Sequence, residues 1–208
     1  YTFDRVFGPE TPGSAVFAEM APQLLPAIES RTHVLILAYG RTGTGKSHTV
    51  NEIIAETGAW LFRQDNAVTS VDVSYTAVYL TGLYDLLDPI SSPRDITPRG
   101  TTSSGPIYIS CLSSSKTITS ARALEQLVAS ARTLRHTAAT HSNAESSRSH
   151  AILRLAFGSG GSVSVIDLAG HEQLKKSGAE GVAREEATAI NQSLMNLGSV
   201  FRELARAR

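Results

Sequence analysis

The chain has 208 residues, long enough to bury one continuous hydrophobic core without metal or disulfide cross-links. Its 19 basic and 19 acidic side chains cancel at pH 7, which argues against a general binder of nucleic acid or of membrane surfaces. The single cysteine, Cys111, cannot form an internal disulfide, and no leader or membrane-spanning run is recognisable. We therefore expect a reducing, cytoplasmic compartment.

Two strands are predicted in the first half of the chain. The uninterrupted apolar run VLILAY, residues 34 to 39, predicts a central strand covered on both faces. Alternation in VDVSYTAVYL, residues 71 to 80, predicts a second strand, and GLYDLLDP, residues 82 to 89, predicts a turn that ends at proline. Residues 91 to 106, rich in Ser, Thr, Gly and Pro, predict a surface loop or an unstructured insert.

The second half predicts two helices and a hairpin. Residues 120 to 135 place Leu124, Leu127, Val128, Ala131 and Leu134 on one helical face. AILRLAF and SVSVID, joined by GSGG within residues 151 to 167, predict an antiparallel hairpin. A last helix carries an apolar stripe that we expect to pack on the sheet: Ile190, Leu194, Leu197, Phe201 and Leu204. Strands mixed with helices predict an α/β sandwich.

A phosphate-binding loop follows the first strand. Gly40, four further residues and then Gly45, Lys46 and Ser47 satisfy the pattern G-x-x-x-x-G-K-[ST], directly after a strand and before a helix start. In such a loop, glycines let backbone N–H groups point at phosphate oxygens, and we expect Lys46 to reach the β- and γ-phosphates and the Ser47 hydroxyl to ligate Mg²⁺. The predicted nucleotide-binding residues are Gly40, Arg41, Thr42, Gly43, Thr44, Gly45, Lys46, Ser47 and His48.

Two further motifs accompany this loop. The first is NAESSRSH, residues 143 to 150. The second is VIDLAGHE, residues 165 to 172, in which Asp167 at the tip of an apolar strand is placed to hold Mg²⁺. Gly170, shortly after it, is predicted to present its backbone N–H to the γ-phosphate.

With these three stretches in this order, the sequence resembles the kinesin motor domain. Its phosphate loop reads AYGRTGTGKS, its first switch is NAESSRSH, and its second switch reads DLAGHE where the family has DLAGSE. The family is also matched by YTFDRVFGPE at the start, by YDLLDP at 84 to 89 and by the long stretch at 174 to 200. Within the family, the resemblance is to fungal kinesins of the minus-end-directed, C-terminal-motor type. The resemblance implies a P-loop NTPase three-layer sandwich, whose central mixed, mostly parallel sheet has helices on both faces.

The resemblance also implies a microtubule-stimulated ATPase that uses ATP or ADP and Mg²⁺. The residues implied for catalysis are Lys46, Asn143, Ser147, Arg148, Gly170 and Glu172, and those implied for the metal are Ser47, Ser147 and Asp167. Arg148 would pair with Glu172 when ATP is bound. Microtubule contact would use Lys175, Lys176, Arg184 and the last helix, with Arg202, Arg206 and Arg208. The implied location is the cytoplasm, on the cytoskeleton.

Departures from the family keep alternatives open. The chain lacks the usual N-terminal strand with its R-x-R-P motif and the usual C-terminal portion, so residues 1–208 read as one truncated or divergent motor core. His171 replaces the serine between Gly170 and Glu172. The alternatives are a reduced, non-motile nucleotide-binding interaction module and, more remotely, an unrelated P-loop small-molecule kinase.

Overall fold

The computed structural model describes residues 2–63, 68–80, 82–88, 94–95, 114–141, 148–158, 160–171 and 182–206, without the side chains of 94–95, 136–141 and 182–184. The helices are α1 (Gly13–Glu29), α2 (Lys46–Leu61), α3 (Ala121–His141) and α4 (Val182–Arg206). The strands are β1 (His33–Ala38), β2 (Val71–Tyr79), β3 (Gly82–Asp85), β4 (Arg94–Asp95), β5 (Lys116–Ile118), β6 (His150–Phe157) and β7 (Ser162–Asp167). Within these ranges, no helix is long and apolar enough to cross a bilayer.

All the described strands join one mixed sheet in the order β1-β7-β6-β2-β3-β4, with β5 paired to the start of β2. This architecture confirms the predicted α/β class and the hairpin of β6 and β7. The expectation of a mostly parallel sheet is wrong for the described pairs, because only β1 and β7 run parallel. Short connections such as the one between β6 and β7 can join only antiparallel neighbours.

The position of β1 differs from the predicted central strand. Among the described residues, β1 pairs only with β7, and Leu35 is 51% exposed. An apolar run indicates a strand whose side chains are mostly buried, but it does not indicate how many strands pair with that strand. The strand prediction is therefore confirmed for 33–38, whereas its central placement is wrong.

The core lies between the sheet and the layer formed by α1, α2 and α3. The face predicted for the helix after β5 is confirmed, since Leu124, Val128 and Ala131 are buried and Leu127 packs against the core. These helices meet the buried strand residues Val73, Leu153, Leu155, Val163 and Val165. This packing holds the carboxyl ends of β1 and β7 side by side, where the parallel register pairs Ala38 with Asp167.

Two other local predictions need correction. The segment predicted as a turn after β2 begins with a strand, because Gly82–Asp85 pairs antiparallel with the end of β2. On α4, the stripe is half-buried near Ile190 but exposed at its end, with Phe201 41% and Leu204 59% exposed. Packing of the whole stripe on the sheet is therefore wrong within the described part of the chain. Of the insert predicted at 91 to 106, only β4 lies among the described residues.

Candidate functional site

The loop between β1 and α2 has the backbone that its glycines predict. Gly43 and Gly45 have φ values of 77° and 86°, in the left-handed region that strains residues with a β-carbon. Gly45 is also the N-cap of α2, so the loop runs directly into the helix N-terminus. Backbone N–H groups in the first turn of a helix have no intrahelical acceptor, and the helix dipole there favours an anion.

Lys46 is held across this loop. Its Nζ donates to the carbonyl oxygens of Gly40 at 2.9 Å and of Arg41 at 2.8 Å, while the Thr44 hydroxyl donates to Arg41 at 2.8 Å. The ammonium therefore sits beside a cleft of about 380 Å³. The cleft is lined by Thr42, Gly43, Gly45, Lys46, Ser47, His48, Asp167, Leu168 and Gly170.

A serine and an aspartate meet at one end of the cleft. The Ser47 hydroxyl donates to Oδ2 of Asp167 at 2.6 Å, although the two residues are 120 positions apart. The Asp167 side chain is 7% exposed, and its Oδ1 is buried without a hydrogen-bond partner among the described residues. A buried carboxylate oxygen without a partner, next to a hydroxyl, fits a hard cation such as Mg²⁺, which prefers oxygen ligands.

Arg135 of α3 completes this end of the site, and sequence reasoning missed it. Its guanidinium lies 3.2 Å from Oδ2 of Asp167, and it donates to the Ser149 hydroxyl at 3.1 Å and to the Ser149 carbonyl at 2.7 Å. The side chain is only 10% exposed. An arginine just past the apolar face of a helix carries no local sign of such distant partners, so only the tertiary structure identifies it.

Replacing Arg135 by alanine is expected to lower the free energy of unfolding by about 3 kcal/mol, because it leaves a buried carboxylate without its cation. Denaturant unfolding followed by circular dichroism measures this loss. Arg132, exposed on the same helix, supplies the control, since its alanine variant should stay within about 0.5 kcal/mol of the parent chain. Equal stability of the two variants would contradict the structural role of Arg135.

The first switch is described from Arg148 onward, and there it contacts α4. Arg148 forms an ion pair with Glu186, whose side chain is 1% exposed, and the Tyr79 hydroxyl donates to the same carboxylate. Burial first, and the Glu186 carboxylate second, raise the pKa of Tyr79 to about 12, so the phenol keeps its proton. The predicted partner of Arg148, Glu172, lies outside the described residues, so that pairing stays a prediction.

Removing the Glu186 carboxylate by substitution with alanine should lower the free energy of unfolding by about 2 kcal/mol, because two partly buried hydrogen bonds to this carboxylate are lost. The neighbouring Glu185 is exposed, and its alanine variant is the matched control. Thermal unfolding of both variants measures the difference. A Glu186 variant no less stable than the Glu185 variant would show that the cluster adds nothing to the fold.

The histidine of the second switch lies beside the phosphate loop. The His171 ring stacks on Tyr39 with ring centroids 4.5 Å apart and an interplanar angle of 11°, and its Nδ1 is buried without a partner among the described residues. Tyr39 directly precedes Gly40 and His171 directly follows Gly170, so the stack joins the start of the phosphate loop to the loop after β7.

The structure brings together only part of the predicted site. Lys46, Ser47, His48, Asp167 and Gly170 line one cleft. Arg202 and Arg206 are exposed on α4, where Arg206 pairs with Glu203. Thr42, Gly43 and Gly45 line the same cleft, Gly40, Arg41 and Thr44 lie in the loop beside it, and Arg148 contacts α4. The other predicted residues lie outside the described part of the chain, or have undescribed side chains in the case of Arg184: Asn143, Ser147, Glu172, Lys175, Lys176, Arg184 and Arg208.

Comparison with known proteins decides the family. The family model described as the kinesin motor domain matches residues 1–208. The chain belongs to the kinesin motor domain family. Among curated kinesins, it is 32% identical over 236 residues to kinesin-related protein 5 of Dictyostelium discoideum, covering 100% of this chain and 23% of that protein. It is 33% identical over 234 residues to kinesin-like protein KIN-14O of Oryza sativa subsp. japonica, covering 100% of this chain and 38% of that protein.

A solved kinesin structure has the same fold. The KIF14 dimer in its two-heads-bound state, with AMP-PNP and in complex with a microtubule, matches with a TM-score of 0.72 at 23% identity. The match covers 99% of this chain and 65% of that one, so this kinesin core spans less than two thirds of the kinesins it matches. Family membership confirms the phosphate-loop fold and a nucleotide-binding domain, and it excludes the unrelated small-molecule kinase. The fungal, minus-end-directed type stays a prediction.

Proposed function

We propose that residues 1–208 form a single kinesin motor core that hydrolyses Mg·ATP and couples hydrolysis to microtubule binding or movement. The observation that carries this proposal is the convergence of separate segments on one cleft. Lys46 and Ser47 come from the start of α2, whereas Asp167 and Gly170 come from the end of β7 and the loop after it.

The triphosphate would be gripped mainly by the loop and by Lys46. Backbone N–H groups between Gly40 and Ser47 would face the α- and β-phosphates, and the Lys46 ammonium would exchange its two carbonyl acceptors for β- and γ-phosphate oxygens. The proposed nucleotide contacts are Gly40, Arg41, Thr42, Gly43, Thr44, Gly45, Lys46, Ser47 and His48.

The cation would be held by Ser47 and Asp167, with Ser147 as a further ligand. Mg²⁺, when bound, neutralises charge that develops on the β- and γ-phosphate oxygens. The orphaned Oδ1 of Asp167 supports this assignment, because a cation or a water bound to it would satisfy that buried atom. The Arg135 guanidinium contacts the other oxygen, Oδ2, at 3.2 Å and helps to hold the carboxylate in place.

Hydrolysis would depend on positioning rather than on covalent chemistry. We assign Asn143 and Ser147 to the nucleotide and the attacking water, and the Gly170 N–H to the γ-phosphate. Arg148 would pair with Glu172 to close the pocket. Since Arg148 contacts Glu186 in this structure, closure would require its guanidinium to leave or share that carboxylate.

The proposed partner is the microtubule, and the proposed location is the cytoplasmic cytoskeleton; neither nucleic acid nor membrane is proposed as a partner. The KIF14 structure described above is that of a kinesin in complex with a microtubule. Contact with acidic tubulin would use Lys175, Lys176, Arg184 and α4, with Arg202, Arg206 and Arg208. Binding through exposed charges should weaken as salt is added.

Steady-state ATP turnover with and without polymerised tubulin tests the proposal. We expect hydrolysis that requires Mg²⁺ and accelerates when microtubules are added. Nucleotide binding without acceleration would favour the alternative of a non-motile nucleotide-binding interaction module. A chain that binds neither ATP nor ADP would contradict both.

A further inference from the structure

We infer that His150 is a positioning residue that couples the loop carrying Gly170 to helix α4. The inference rests on the proposed function, because that loop must respond to a bound nucleotide for the coupling to matter. Its basis is a pair of hydrogen bonds made by the two nitrogens of one imidazole, each to a different element.

The first nitrogen holds the loop after β7. Nδ1 of His150 accepts the backbone N–H of Ala169 at 3.1 Å, and Ala169 is 1% exposed. Ala169 lies between Asp167 and Gly170, both of which line the cleft. A change in the backbone position of Gly170 therefore acts on the amide that His150 holds.

The second nitrogen holds the helix. Nε2 of His150 lies 2.8 Å from the Ser193 hydroxyl, which itself donates to the Ile190 carbonyl at 2.7 Å. Because the serine proton is used in that bond, Ser193 must accept and His150 must donate through Nε2–H. With Nδ1 as an acceptor, the ring is the neutral Nε2–H tautomer.

Burial of the ring favours a neutral imidazole. Burial first, and the Arg135 guanidinium second, lower the pKa of His150, while the Asp167 carboxylate acts in the opposite direction. A neutral ring preserves the acceptor at Nδ1, which the Ala169 N–H requires. The bridge therefore has one donor and one acceptor with fixed roles.

The two residues that precede His150 are themselves held by side-chain contacts. Ser149 is bonded to Arg135, and Arg148 is paired with Glu186. Since the residue cannot drift easily, a displaced Ala169 amide must either break its bond or rotate the ring against Ser193. Rotation of the ring changes the hold on α4, whereas a broken bond releases the loop from the helix. The bonded and released forms are therefore two arrangements that the loop and the helix share.

Hydrogen–deuterium exchange of the 208-residue chain, with and without Mg·AMP-PNP, tests this bridge. In the parent chain, we expect slower exchange in residues 40–49 and a changed exchange rate in α4 around Ser193. His150→Asn keeps an acceptor for the Ala169 N–H, but its side chain is too short to reach Ser193. Ser193→Ala removes the hydroxyl through which α4 contacts His150, and alanine is well tolerated in a helix. Both variants should keep the response in the phosphate loop and lose the response in α4.

His33 supplies a matched control. Its Nδ1 lies 2.9 Å from the Ser162 hydroxyl at the starts of β1 and β7, at the opposite end of these strands from the cleft. His33→Asn should leave both responses intact. If the α4 response persists in His150→Asn and Ser193→Ala, or is missing from the parent chain although residues 40–49 are protected, the bridge is refuted. If residues 40–49 show no protection, the proposed function falls, and the bridge with it.

Discussion

Replacing Lys46 by alanine is expected to weaken ATP binding about 100-fold. Among the described residues that line the cleft, Lys46 and His48 are the only basic side chains. Hydrogen bonds from an ammonium to phosphate oxygens are of the charged kind, worth about 1.5 to 3 kcal/mol each. Two such bonds would be lost together. Equilibrium titration with a fluorescent ATP analogue measures the change in Kd.

Lys116 provides the control for this substitution. It is an exposed lysine at the start of β5, on a different part of the sheet, and its replacement by alanine alters net charge equally. The Lys116 variant should bind with an affinity within about twofold of the parent chain. If both lysine variants bind ATP equally well, Lys46 does not contact the phosphates.

Replacing Asp167 by asparagine is expected to raise the Mg²⁺ concentration needed for half-maximal ATP turnover by about 10- to 100-fold. The amide keeps the shape of the side chain but removes the negative charge that the Ser47 and Arg135 contacts surround. Turnover measured across a series of Mg²⁺ concentrations reports this shift separately from any loss of stability.

Asp72 offers the matched aspartate. It is exposed on β2, where it accepts a hydrogen bond from the Thr117 hydroxyl at 2.6 Å. Its asparagine variant should show the Mg²⁺ requirement of the parent chain. An unchanged requirement in the Asp167 variant would remove this carboxylate from the metal site.

The sequence predicted the parts of the site that are written in consecutive residues. The phosphate loop needs glycine at positive φ followed by lysine and a hydroxyl, so GRTGTGKS specifies both the conformation and the chemistry. Asp167 lies in the cleft because it ends the apolar strand β7, whose carboxyl end meets that of β1 in a parallel pair, while its role as a metal ligand stays a prediction. The hairpin and the buried face of α3 followed from simple periodicity.

The missed features depend on distant partners. Arg135 reaches Asp167 across 32 positions, and Tyr79 reaches Glu186 across 107, with nothing in either local pattern to mark the contact. Glu185 and Glu186 are neighbours in α4, yet Glu186 is buried and Glu185 is exposed, and the sequence does not distinguish them. The position of β1 at the end of the described strand order was missed for a similar reason, because strand order is a property of the sheet rather than of the strand.

Calorimetric titration of the chain with AMP-PNP, once with Mg²⁺ and once with a chelator, tests the central claim most directly. If one cleft binds the triphosphate and the cation together, we expect one AMP-PNP bound per chain in the presence of Mg²⁺. Without Mg²⁺, the affinity for AMP-PNP should be about 10-fold or more lower. Binding that is equally tight in the two titrations, or no heat of binding at millimolar nucleotide, would contradict it.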